Sequence, residues 1–187
     1  MKSCAVLLAG GSGTRWRGTN HKLLAEFRGK PVLQWSIENA IGSGLEVFVV
    51  YGAIDLSAFI TEHKARPVLN SRWQEGQATS LVLATDVAAK EGFDSIVVGL
   101  GDQPLILPST WASVAGVDET HAIVVAAYEG VKGHPVRLNA SIWERLDRMG
   151  DSGARTLMTR NPEFVWELAC EGSTADIDTL EDLQRWS

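Results

Sequence analysis

The sequence predicts an α/β protein with one mostly parallel sheet covered by helices on both faces, three layers deep. Four short runs, Cys4–Ala9, Glu46–Tyr51, Ser95–Leu100 and Ala122–Ala127, are rich in valine and isoleucine and nearly free of polar residues. Such runs suit strands buried on both faces, as in a parallel sheet. Between them lie segments with helical spacing, and strand–helix alternation is the mark of a doubly wound sheet. With 187 residues and 45% apolar content, the chain can bury a substantial single core.

The elements follow in order. After the first strand, Pro31 suits a first helical position, and Val32, Leu33, Ile37, Ala40 and Ile41 share a helical face. Gly42 and Gly44 end that helix. Pro67–Leu69 and Phe164–Ala169 are weaker strands. Thr79–Lys90 reads as a second helix stopped by Gly92, with Ser109–Val117, Ala140–Arg148 and Gly153–Asn161 as further helices. Thr179 can cap a last one, with Asp182 at its third position.

The formal net charge is −6. No global basic field exists for nucleic acid, so any anionic ligand must meet a local cluster. Cys4 and Cys170 lie in apolar runs and read as buried reduced thiols. No run approaches the ~20 apolar residues of a membrane helix. The N-terminal apolar run is too short for a signal sequence, so a cytoplasmic location is expected, with neither membrane nor nucleic acid as partner.

The first strand runs into Leu8-Ala9-Gly10-Gly11-Ser12-Gly13-Thr14-Arg15. Three glycines in this turn let the backbone present N–H groups to a ligand. Arg15, Arg17, Lys22, Arg28 and Lys30 follow closely, opposed only by Glu26. Backbone donors beside cations suit a polyphosphate; a tight surface turn with solvated charges would look the same. The P-loop string is absent, and Trp16 stands where a dinucleotide fingerprint needs its third glycine.

This loop, followed by Lys22-Leu23-Leu24 and Gly29-Lys30-Pro31-Val32-Leu33, resembles the signature of the MobA/MocA-like nucleotidyltransferases, a family that includes molybdenum-cofactor guanylyl- and cytidylyltransferases. The resemblance implies a single MobA-like NTP transferase domain over residues 1–187. Its fold would be Rossmann-like and nucleotide-diphospho-sugar transferase-like. It further implies a loop, Leu8 to Arg15, that wraps a triphosphate, with Arg15 and Lys22 neutralising charge as pyrophosphate leaves.

Five later segments also match. Gly101-Asp102-Gln103-Pro104 places a carboxylate after a buried strand, where it can ligate Mg²⁺ or cap a turn. The resemblance favours metal and a catalytic Asp102. Asn70–Leu81 resembles the base-facing segment, with Gly76, Thr79 and Ser80 as nucleotide contacts; Thr79 or Ser80 can equally be a helix cap, and Trp73 a core residue. Gly133-His134-Pro135-Val136 and Gly150-Asp151-Ser152-Gly153-Ala154-Arg155 resemble acceptor-side segments. They join Gln103 and Pro104 in an expected acceptor set of His134, Pro135, Asp151 and Arg155, although a lone His beside Pro reads as structural by itself. His21, His63 and His121 take the same structural reading. Ala175–Leu183 resembles the family's Asp-Ile-Asp-Thr-Pro-Glu-Asp-Leu, with Leu180 replacing proline; Asp176 is the expected second metal ligand and Asp178 its rival.

The implied reaction is transfer of a nucleotidyl group from CTP or GTP to a phosphorylated, molybdopterin-type acceptor, with Mg²⁺ as cofactor. Leu8-Ala9-Gly10-Gly11 looks guanylyl-like, while the segments at 76–81, 133–136 and 150–155 look cytidylyl-like, which favours CTP. Two alternatives stand beside it: another phosphorylated acceptor, such as a sugar or alcohol phosphate, or a non-catalytic cofactor chaperone with a molybdenum enzyme as client.

Overall fold

The computed structural model describes residues 1–18 and 20–186. The strands are β1 (Ser3–Ala9), β2 (Glu26–Phe27), β3 (Lys30–Pro31), β4 (Glu46–Tyr51), β5 (Arg66–Leu69), β6 (Ser95–Leu100), β7 (Ile123–Tyr128), β8 (Val131–Asn139) and β9 (Val165–Ala169). The helices are α1 (Val32–Gly42), α2 (Ser57–Glu62), α3 (Gln77–Lys90), α4 (Pro108–Gly116), α5 (Arg155–Arg160) and α6 (Leu180–Trp186). One seven-stranded sheet runs β5-β4-β1-β6-β8-β7-β9, and β2 and β3 form a small hairpin. All large-sheet pairings are parallel except those of β8, which is antiparallel to β6 and β7.

The apolar runs are uninterrupted because each strand feeds two cores. From β1, Ala5, Leu7 and Ala9 pack under α1, α2 and α4, while Cys4 and Val6 pack under α3 and α5. Both cysteines are free thiols, and burial, then Glu46, pushes the Cys4 thiol up to about 12.

Several details depart from the sequence expectation. The segment from Ala140 is a 3-10 turn ending at Arg145, not a helix to Arg148. Pro31 pairs in β3 and precedes α1 rather than opening it. β8 has no counterpart in the strand runs read from sequence, because Gly133 and Pro135 interrupt it. The β7–β8 register jumps from Val125↔Val136 to Ala126↔Gly133, so His134 and Pro135 bulge out of the ladder. A bulge is where a residue without an N–H fits.

β8 also carries a wholly buried Arg137. Its guanidinium donates to the carbonyls of Ala115, Val117, Asp118 and His121, capping the C-terminal end of α4. Arg137→Met is therefore expected to cost ~3 kcal/mol or more, since four part-buried carbonyls lose a cationic donor. Urea unfolding would measure it; a loss under ~1 kcal/mol would mean that water replaces the guanidinium.

Candidate functional site

β1 and β6 are parallel neighbours with Leu8 opposite Leu100. The glycine loop and Gly101-Asp102 therefore leave the sheet side by side at its carboxyl edge. β1 is also the switch point: the chain passes from it to β4 and β5 on one side, then returns through α3 to β6 on the other. A crevice opens at such points. Here it is a cavity of about 570 Å³ whose lining includes Leu8 through Arg15, Lys22, Gly76, Ser80, Asp102, Asp151 and Asp178.

The loop is held from behind. Gly13 has φ +63°, and a Cβ there would lie 3.3 Å from His21 Nε2. His21 Nε2 is 3.1 Å from the Gly11 carbonyl, and the Leu23 N–H points at His21 Nδ1 at 3.4 Å. A carbonyl only accepts and an N–H only donates, so His21 is the neutral tautomer with its proton on Nε2. Burial holds its pKa below the ordinary value despite the Gly11 contact. The sequence reading treated His21 as structural without locating what it holds.

Lys22 opens a short 3-10 turn. Its Nζ lies 2.5 Å from Asp102 Oδ2 and 2.6 Å from Asp178 Oδ1, while Arg15 reaches Asp178 Oδ2 at 2.8 Å. Burial alone would lower the Lys22 pKa, but Asp102 and then Asp178 raise it above its usual value. Asp178 belongs to a C-terminal strap. Ile177 is fully buried beside Phe27 and Val32, and its N–H donates to the Asp102 carbonyl at 2.9 Å. Thr179 and Asp182 cap each other reciprocally at the start of α6, as expected from their spacing.

Asp176 accepts from Gln103 Nε2 at 2.8 Å, and its carboxyl is raised by burial, then by the charge of Asp102. Asp102 Oδ1 is buried without a hydrogen-bond partner. Among the described residues no group of three or more His, Cys, Asp or Glu is arranged to hold a metal. A cation that takes few carboxylates and completes its shell with phosphate and water fits this pair: an orphaned oxygen on Asp102 beside a carboxylate, Asp176, that burial makes costly to ionise. Asp178 is already shared by Lys22 and Arg15.

The start of α3 is tied to the 150–151 turn. Gly76 has φ +104°, and a Cβ there would meet the Gly150 carbonyl at 2.4 Å. Gly150 N–H donates to Glu75 O, and Ala78 N–H to Gly150 O, both at 2.9 Å. The close approach at Gly76 is thus made by the chain itself. Asp151 Oδ1 accepts from the Gln77 N–H at 3.2 Å, so Asp151 caps α3 and lies in the first cavity. Thr79 is buried, hydrogen-bonded to Gly76 O at 2.9 Å, and of the pair Thr79 and Ser80 it is Ser80 that lines the cavity.

A second cavity of about 410 Å³ shares Leu8 and Gln77 with the first. His134 and Arg155 line it, over aliphatic side chains that include Leu81, Val98, Val136 and Met158. Burial pushes His134 down to about 4, so it is neutral at pH 7. The expected acceptor residues therefore fall in separate places. His134 and Arg155 line the second cavity, Pro135 is buried in the β8 bulge, and Asp151 lines the first. Gln103 braces the strap, while Pro104 is pinned through its carbonyl by Asn39. No helix among the described residues is long and apolar enough to cross a membrane.

Residues 5–164 match the family described as MobA-like NTP transferase domain. Among curated proteins, Bifunctional protein GlmU of Agrobacterium fabrum is 35% identical over 111 residues, 58% of this chain and 24% of the relative. GlmU of Roseobacter denitrificans is 28% identical over 156 residues, 80% of this chain and 34% of the relative. The chain thus spans a quarter to a third of these relatives. The solved structure of Rv0371c from Mycobacterium tuberculosis H37Rv is 26% identical with TM-score 0.83, covering 100% of this chain and 97% of that one. A structure of that protein in complex with manganese superposes with TM-score 0.79, at 26% identity and covering 100% and 98%. A nucleotidyl transferase from Methanothermobacter thermautotroptrophicus has TM-score 0.84 at 22% identity, covering 98% and 95%, and shares the fold. The fold is the three-layer, nucleotide-diphospho-sugar transferase-like one.

Proposed function

The chain belongs to the MobA-like NTP transferase domain family, and from that premise we propose that it transfers a nucleotidyl group, CMP in preference to GMP, from a nucleoside triphosphate to a phosphorylated acceptor of molybdopterin type. The observation that carries this reading is the meeting of a glycine loop, two cations and Asp102 in one cavity at the sheet's switch point.

The loop N–H groups and Arg15 bind and orient the triphosphate. An acceptor phosphate oxygen attacks the α-phosphorus; the new P–O bond forms as the bond to the β-phosphate oxygen breaks, and pyrophosphate leaves. That oxygen is already ionised near neutral pH, so no general base is needed and catalysis rests on alignment and charge neutralisation. Lys22 stabilises charge on the leaving group. Asp102 and Asp176 would hold Mg²⁺, which draws charge from the phosphate oxygens when bound. His134 and Arg155 would orient the acceptor, the aliphatic wall covering its ring system. A cytoplasmic location accords with this substrate pair.

The direct test incubates the protein with Mg²⁺, each triphosphate and candidate acceptors, and reads pyrophosphate. Release with CTP and a molybdopterin acceptor is expected. Release only with a sugar phosphate would reassign the acceptor, and cofactor binding without release under any condition would replace the enzyme by a chaperone.

The metal assignment has its own test. Asp176 is raised in the fold above its unfolded value, so its ionisation costs stability, in full, once the pH exceeds the folded pKa. Asp176→Asn is therefore expected to raise the metal-free thermal midpoint at pH 7 and to weaken the further rise that Mg²⁺ causes in the parent protein. An unchanged Mg²⁺ response would transfer the ligand role to Asp178.

A further inference from the structure

We propose that Ser36, on the buried face of α1, is a positioning residue for Asp102: its hydroxyl holds the peptide that enters Asp102 in one plane, and so aims the unpartnered Asp102 Oδ1 at the space where a divalent cation would sit. This role rests on the metal reading of Asp102 above and deepens it.

The buried residues of α1 are Val32, Leu33, Ser36, Ile37 and Ala40. Ser36 is the polar one among them, 2% exposed. A hydroxyl so placed needs a partner inside the fold. Two carbonyls lie near its Oγ: Gly101 at 3.0 Å, and Val32, one turn back in the helix, at 3.5 Å. A hydroxyl has one hydrogen to give, and the shorter contact takes it. Gly101 is itself buried and lies just outside β6, so its carbonyl has no ladder partner, and no other described residue donates to it. One turn further along α1, Asn39 Nδ2 donates to the Pro104 carbonyl at 2.9 Å. The two side chains share a helix face and grip both ends of the Gly101–Pro104 turn.

Peptide planarity carries this hold to the carboxylate. The Gly101 carbonyl belongs to the peptide that enters Asp102, and Ser36 holds it. The Asp102 carbonyl belongs to the peptide that leaves, and the Ile177 N–H holds it at 2.9 Å. With both planes fixed, the direction of the Asp102 Cα–Cβ bond is set and only the side-chain torsions remain. Lys22 then takes Oδ2 at 2.5 Å, which leaves Oδ1 buried, without a partner and in a defined place. A cation ligated by few carboxylates depends on such direction, because one misaimed oxygen is a large share of its protein donors. Ser36 is not part of the cavity lining and bonds no carboxylate, so its effect passes through the backbone alone.

The test follows binding of Mn²⁺ alone, by loss of the free-ion paramagnetic resonance signal, beside the thermal midpoint of each variant. Ser36→Ala is expected to weaken Mn²⁺ binding about tenfold, the low end of the cost of removing a partner that orients a metal ligand. Asn39→Ala frees only the far end of the turn and should weaken it less. Ser36→Cys keeps a weak donor of similar shape and should fall between Ser36→Ala and the parent. Ile37→Val is the control: it removes one buried methylene from the same helix, and should lower the thermal midpoint without moving Mn²⁺ affinity. Parent-like Mn²⁺ affinity in Ser36→Ala, or an equal loss in Ile37→Val, makes Ser36 a packing residue and overturns the proposal while the metal reading stands. If Ser36→Ala does not fold, parent-like affinity in both Ser36→Cys and Asn39→Ala overturns it. A parent protein that takes up no Mn²⁺ overturns the metal reading of Asp102 as well.

Discussion

Lys22→Ala is expected to slow pyrophosphate release by about a hundred- to a thousand-fold, the usual effect of removing one directed charge from a developing oxyanion. The Lys22 ammonium is half-way between two carboxylates, 2.5 Å from Asp102 and 2.6 Å from Asp178, and mostly shielded from water. Its charge is therefore worth more than that of a solvated lysine. No main-core contact depends on its ammonium, so the fold should persist. Some stability should be lost, because Asp102 and Asp178 then face each other without the cation they share. Single-turnover kinetics with saturating triphosphate would check this. Turnover within a few-fold of the parent removes Lys22 from the mechanism.

Asp102→Ala should produce a loss of similar size, on the order of a hundred- to a thousand-fold, for a different reason. It deletes the buried orphan oxygen that would meet the cation, and one of the two anchors of Lys22. Its backbone carbonyl remains, so the Ile177 N–H keeps its acceptor and the strap stays seated. The two variants part in metal dependence. Asp102→Ala should shift the Mg²⁺ or Mn²⁺ concentration needed for half-maximal turnover upward, whereas Lys22→Ala should lower the plateau without moving that midpoint. Identical metal curves for Asp102→Ala and the parent would leave Asp102 as a partner of Lys22 and nothing more.

Most of the sheet was legible because parallel strands bury both faces and leave unbroken Val/Ile runs. β4 and β6 begin and end where those runs do. β8 was not, since its apolar residues alternate and its bulge holds Gly133 and Pro135. α2 was missed because six residues are too few to show a helical period. In the site, the glycine loop, Lys22 and Asp102 stood out as chemical groups following strand-like runs. The loop-holding role of His21 did not, because its partner, the Gly11 carbonyl, lies ten positions back in a glycine-rich stretch and is brought to the ring only by the fold.

By itself, the sequence determined the three-layer α/β architecture and a concentration of phosphate-compatible groups after β1. Both follow from local pattern: strand burial sets composition, and a tight loop needs glycine. Only the tertiary structure decided which distant residues share a charge. Asp178, 156 positions from Lys22, reaches it because buried Ile177 seats the strap. Asp151 caps α3 from 74 positions away. Those pairings depend on how loops from separate strands converge at one sheet edge, and no local periodicity encodes that.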